Sequence, residues 1–124
     1  MNNKELGTEF ENEFVELLNQ RGFWAHFIVP NKSGGQPFDV IAVKSGVPYA
    51  IDCKTSARKR FPVTRLEDNQ ILAFEKWLRC GNGIPLVAVK FEEKVYMIPY
   101  TLLHREGTIT LCDEYLLGDE LPTD

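Results

Sequence analysis

Two β-rich runs, Phe38–Lys44 and Val47–Lys54, are separated only by Ser45-Gly46. So short a gap predicts a tight antiparallel hairpin. Lys44 then pairs with Val47, and continuing that register brings Asp39 opposite Asp52. Directly opposed residues hold their Cβ atoms about 4.5–5.5 Å apart, where like charges destabilise a sheet. Aspartate is also depleted in strands, yet each of these interrupts an apolar run: Phe38-Asp39-Val40-Ile41-Ala42-Val43 and Tyr49-Ala50-Ile51-Asp52-Cys53. Two resolutions are open. A divalent cation between the carboxylates turns repulsion into binding, and a hard ion such as Mg²⁺ favours oxygen ligands. A shared proton is the other.

The remaining pattern sets the hairpin in an α/β chain. From about Lys4 to Arg21, Leu6, Phe10, Phe14, Leu17 and Leu18 mark the apolar face of a helix, and Gly22 is its stop. Phe23–Val29 reads as a strand and Pro30–Pro37 as a loop. Thr64-Arg65-Leu66-Glu67 matches a capping box opening a helix to about Arg79, ended by Gly81-Asn82-Gly83. Pro85–Phe91 and Lys94–Pro99 are further strands. A short helix near Tyr100–His104 and a strand near Thr108–Cys112 follow. The order αβββαβ, with more after it, predicts a mixed α/β sandwich. At 124 residues this is expected to be one domain, residues 1–124, with a single core.

Glu11 adds a third carboxylate in an apolar setting. Glu5, Glu9 and Glu16 fall on the polar side of the first helix, whereas Glu11 stacks with Val15 and Leu18 at spacings of four and seven. An unpaired charge directed toward a core is very costly, so Glu11 needs a partner. The alternative is a rim glutamate paired with a lysine or arginine. Lys54 follows Asp52 by two residues and leaves the same face of its strand. Its ammonium is suited to orienting an attacking water or stabilising a phosphorane-like transition state. A cation that polarises phosphate and acidifies water, with a positive group nearby, is what metal-assisted phosphodiester hydrolysis needs. Gln70 shares a helix face with Phe74 and Trp77, and either meets this site or satisfies a local backbone group. His26 and His104 read as structural, and Trp24, Trp77 and Phe74 as core rather than base-stacking platforms.

Charge placement narrows the partners. The formal net charge is −4, which argues against nonspecific coating of nucleic acid. Yet Lys54, Arg58, Lys59, Arg60 and Arg65 lie together without an intervening acid. Such a run can meet phosphate while the rest of the surface stays acidic. Cys53, Cys80 and Cys112 are odd in number and widely spaced, which opposes a zinc site or disulfide framework. No segment has the roughly 20 apolar residues of a membrane helix. With a polar start at Met1-Asn2-Asn3, a cytoplasmic protein is expected.

Pro37-Phe38-Asp39 followed by Asp52-Cys53-Lys54 resembles the PD-(D/E)XK nuclease signature, with one residue inserted between Pro37 and Asp39. Gly7-Thr8-Glu9-Phe10-Glu11, ahead of Gly22-Phe23, is similar to the first helix of archaeal-type Holliday junction resolvases. The resemblance runs from about Gly7 to Phe91. It implies a restriction-endonuclease-like three-layer α/β/α core with a mixed central sheet. It also implies Mg²⁺, with Mn²⁺ as substitute, held by Glu11, Asp39, Asp52 and the backbone carbonyl of Cys53. Lys54 would act at the attacking water, Gln70 would belong to the motif helix, and Ser33 would contact phosphate. DNA, in branched form, is the implied substrate of a homodimer. Arg58, Lys59, Arg60 and Arg65 are the accompanying DNA-binding candidates. One departure is that these resolvases usually carry Glu where this chain has Asp52.

The leading expectation is therefore a metal-dependent endodeoxyribonuclease that resolves Holliday junctions, of phage or mobile-element type. Another PD-(D/E)XK nuclease, restriction-like or replication-associated, is the second reading. A non-catalytic nucleic-acid-binding module of the same fold is the third.

Overall fold

The computed structural model describes residues 2–29 and 36–123. Helix α1 (Asn3–Gln20) opens on Asn2, whose side chain accepts the Glu5 N–H at 2.8 Å. Phe10, Phe14 and Leu18, spaced by four, put one buried stripe on the sheet. Gly22 follows the helix at φ 89°, the left-handed conformation glycine adopts freely. Strand β1 (Trp24–Phe27) is shorter than the Phe23–Val29 expected from pattern.

The hairpin of β2 (Val40–Lys44) and β3 (Val47–Thr55) has the expected register, from Lys44↔Val47 to Val40↔Ile51. Ser45 and Gly46 both take positive φ, 53° and 80°, which suits a two-residue turn matched to strand twist. Strand β2 begins only at Val40, so Asp39 stands just ahead of it. On its other edge β3 pairs in parallel with β5 (Leu86–Phe91), from Ile51 to Thr55, and so runs on beyond β2. Strand β6 (Lys94–Pro99) completes a five-stranded mixed sheet of order β1-β2-β3-β5-β6 among the described residues.

One face of this sheet presents Val40, Ala42, Ile51, Cys53, Leu86 and Ala88 to α1. The other presents Ala50, Val87, Val89 and Ile98 to Phe74 of α2 (Asp68–Arg79) and to Tyr100 and Leu103 of α3 (Tyr100–Glu106). Two apolar interfaces with helices outside them make the three-layer α/β/α architecture.

Three local expectations need correction. Arg60–Pro62 forms a strand, β4, where the basic segment has no strand-like pattern. It pairs with β7 (Thr108–Thr110), which is shorter than expected, and Phe61↔Ile109 seals the ribbon onto the core. The α2 helix starts at Asp68 rather than near Thr64, because Leu66 takes an extended conformation and buries its side chain. The N-cap is Glu67, and Val63–Arg65 is a separate 3₁₀ turn. Last, α3 runs on to Glu106. No helix among the described residues is long and apolar enough to cross a membrane.

Candidate active site

The three carboxylates sit where α1, the start of β2 and the middle of β3 approach one another. Asp39 lies between the other two. Beyond the start of β2, the Cys53 N–H has no strand neighbour on that edge, and Asp39 Oδ2 accepts it at 2.8 Å. The Asp39 N–H donates to Ile51 O at 3.2 Å. Its other carboxylate oxygen accepts a hydrogen bond from Gln36 Nε2. Asp39 is thus fixed by backbone and side chain before any ligand is considered.

Asp52 is wholly buried on β3, paired in register with Val87. Its Oδ1 accepts from Gln70 Nε2 at 2.8 Å, and its Oδ2 lies 3.1 Å from Lys54 Nζ. Among the described residues the Lys54 ammonium is the partner of Oδ2, which accepts no other hydrogen bond. A wholly buried carboxylate held by one amide and one ammonium is costly to keep charged. Burial, then the charge of Asp39, raises Asp52 to about 8, with Lys54 acting in the opposite direction. Glu11 rises to about 7 through burial and the same Asp39 charge. Two acids pushed toward neutrality around a third describe a site with excess negative charge.

Lys54 supplies the nearest positive charge. Its ammonium contacts Asp52 and lies 3.1 Å from Gln70 Oε1. Gln70 performs both tasks that the sequence left as alternatives. As the third residue of α2 its Oε1 accepts the Glu67 N–H at 2.9 Å, while its Nε2 reaches Asp52. Cys53 presents its backbone to the site, and its thiol points into the α1-side core, where burial pushes it well above the ordinary thiol range.

The carboxylates do not form a finished ligand cage. Among the described residues, no three His, Cys, Asp or Glu side chains are gathered tightly enough to hold an ion as they stand. Lys54 and Gln70 occupy the inner positions instead.

The basic residues are only partly assembled here. Arg65 lines a cleft beside Lys54, donates to Thr55 O at 2.8 Å and lies over the Phe61 ring. Arg58, Lys59 and Arg60 are exposed and continue the surface from Arg65 toward β4. None of these four forms an ion pair among the described residues. Ser33 lies outside the described residues.

Gln36 and Asn69 escaped sequence reasoning. Asn69 Nδ2 donates to Gln36 O at 2.9 Å, tying the residue that holds Asp39 to the first turn of α2. Neither has a sequence signal beyond being an amide in a loop or at a helix start.

Over residues 2–118 the sequence matches the family described as archaeal Holliday junction resolvase (Hjc). The chain belongs to that family. It is 29% identical over 108 residues to the crossover junction endodeoxyribonuclease Hjc of Methanocaldococcus jannaschii, covering 87% of this chain and 76% of that one. It is 30% identical over 94 residues to the crossover junction endodeoxyribonuclease Hje of Saccharolobus islandicus, covering 73% and 67%. A crossover junction endodeoxyribonuclease of Sulfolobus islandicus rod-shaped virus 1 is 27% identical over 103 residues, covering 82% and 85%. In fold, the chain is similar to the Archaeoglobus fulgidus resolvase Hjc, with a TM-score of 0.64 at 21% identity over 86% of this chain and 87% of that one. The three-layer architecture is thus the resolvase fold, and Glu11, Asp39, Asp52 and Lys54 lie within the matched span.

Proposed function

We propose that this chain is a Mg²⁺-dependent endodeoxyribonuclease that resolves four-way DNA junctions, hydrolysing phosphodiester bonds at Glu11, Asp39, Asp52 and Lys54. The observation that carries the site assignment is the wholly buried Asp52 carboxylate, pushed up by burial and by the charge of Asp39 and paired with Lys54 at 3.1 Å. Membership of the resolvase family carries the choice of substrate.

The donor set fits a hard divalent cation, since every side-chain donor is a carboxylate oxygen. Asp39 and Asp52 would hold it, with Glu11 and the Cys53 carbonyl completing the set. A bound ion would polarise the scissile phosphate and make water more acidic. Glu11 and Asp52 would hold the ion as carboxylates, in place of the protons that burial favours. Lys54, 3.1 Å from Gln70 Oε1, would orient the attacking water and stabilise developing charge. Arg58, Lys59, Arg60 and Arg65 would hold the DNA backbone. A second copy of the chain would supply the matching cut on the other strand. Trp24 on edge strand β1 and Leu72 on α2, 58% and 68% exposed on the same side of the sheet, support such a partner.

The deciding experiment incubates purified protein with Mg²⁺ and labelled four-way junction, linear duplex and single strand. Junction cleavage is expected to dominate. Lys54→Ala should lower the rate by about 10²–10³-fold, and Asp52→Asn at least as much, with junction binding retained. Wild-type rates from either variant would remove the site assignment.

A further inference from the structure

We propose that Gly7 forms the point at which the DNA backbone passes closest to the protein, so that this glycine serves the substrate rather than the fold. The inference rests on the nuclease reading above and extends it to a residue with no chemical group of its own.

Gly7 lies in the second turn of α1, where glycine destabilises a helix relative to alanine. Neither usual reason for a glycine applies. Its φ is not among the positive values found at Gly22, Gly46, Gly81 and Gly107. A Cβ built on it would meet no heavy atom of the described residues within 4 Å. The packing of the described residues therefore leaves room for a side chain that the sequence omits.

The surroundings indicate what uses the room. Gly7 precedes Glu11 by four residues, so it lies one turn away on the same helix face. With Leu6 it forms one wall of a cleft of about 560 Å³. Lys54, Thr55, Ser56 and Arg65 form the opposite side. Lys54 reaches from this cleft to Asp52, and Arg65 brings a second cation. A groove with cations on one side and bare helix backbone on the other fits an anionic polymer that needs close approach. The strand leading to the scissile bond is such a polymer.

Steady-state cleavage of a four-way junction, with thermal melting, tests this on Gly7→Ala, Gly7→Leu and a Thr8→Ala control. Thr8 is exposed and does not line the cleft. Gly7→Ala should melt about 3 °C higher and raise KM about tenfold with kcat little changed. Gly7→Leu should lower kcat/KM by about 100-fold, whereas Thr8→Ala should cleave as the wild type does. Should Gly7→Leu misfold, the Gly7→Ala comparison stands alone. Wild-type KM in Gly7→Ala, or a folded Gly7→Leu with wild-type kcat/KM, would overturn the role of Gly7 and leave the nuclease reading standing. A wild-type chain that neither cuts nor binds DNA would overturn both.

Discussion

Asp39 shows how one side chain can carry opposite effects on stability. Its charge raises Glu11 and Asp52, yet one of its oxygens satisfies the buried Cys53 N–H. Asparagine keeps a carbonyl oxygen for that bond while removing the charge. Asp39→Asn should therefore melt higher than wild type without metal, whereas Asp39→Ala strands the donor and should cost about 1–3 kcal/mol. A lower melting temperature for both would mean that the repulsion is negligible. The same cluster sets a pH dependence. Glu11 and Asp52 rise from 4.5 and 3.8 to about 7 and about 8, so between roughly pH 4 and 8 the folded chain binds more protons than the unfolded one. Stability of the metal-free protein should then fall as pH rises through that window, because unfolding releases protons. Added Mg²⁺ should stabilise more at pH 8 than at pH 5.5, since ligands bind deprotonated. Melting in EDTA across this range checks it, and Asp52→Asn should flatten the slope.

At the scale of elements, the site depends on where α2 begins. A start near Thr64 would place Gln70 well inside the helix. The observed start at Asp68 puts it in the first turn, where its amide spans the Glu67 N–H, Lys54 and Asp52. Leu66 decided this through its burial, which local capping rules do not weigh. Gln70→Ala removes a cap acceptor and leaves Asp52 Oδ1 buried without a donor. It should lower the unfolding free energy by about 2 kcal/mol, read from urea titration. An unchanged midpoint would show that water replaces the amide. The hairpin was legible in advance because Ser45-Gly46 admits positive φ at both positions and stands between two β-rich apolar runs. Strand β4 was not, since a single phenylalanine between arginine and proline carries no period.

For the whole molecule, acidity and DNA binding are reconciled by segregation. The net charge is −4, but Arg58, Lys59, Arg60 and Arg65 lie on one exposed stretch of surface beside the Lys54 cleft. If these residues contact phosphates, replacing Arg58 or Arg60 by alanine should weaken junction and duplex binding alike. Each should reduce the slope of log K against log salt by about 0.9. Binding measured at several salt concentrations checks this, and an unchanged slope would place the DNA elsewhere.

Residue pattern alone determined the helix face, the hairpin and its register, and the odd placement of three acids and a lysine. These are local matters of period and turn chemistry. Tertiary structure decided the rest. It started β2 only at Val40, so that Asp39 turned to the Cys53 N–H, and it anchored Gln36 through Asn69. It also buried Asp52 completely and paired one of its oxygens with Lys54. Such outcomes depend on which backbone groups lose their neighbours when β3 runs on beyond β2 alongside β5, and pairings between distant segments leave no periodic trace in a sequence.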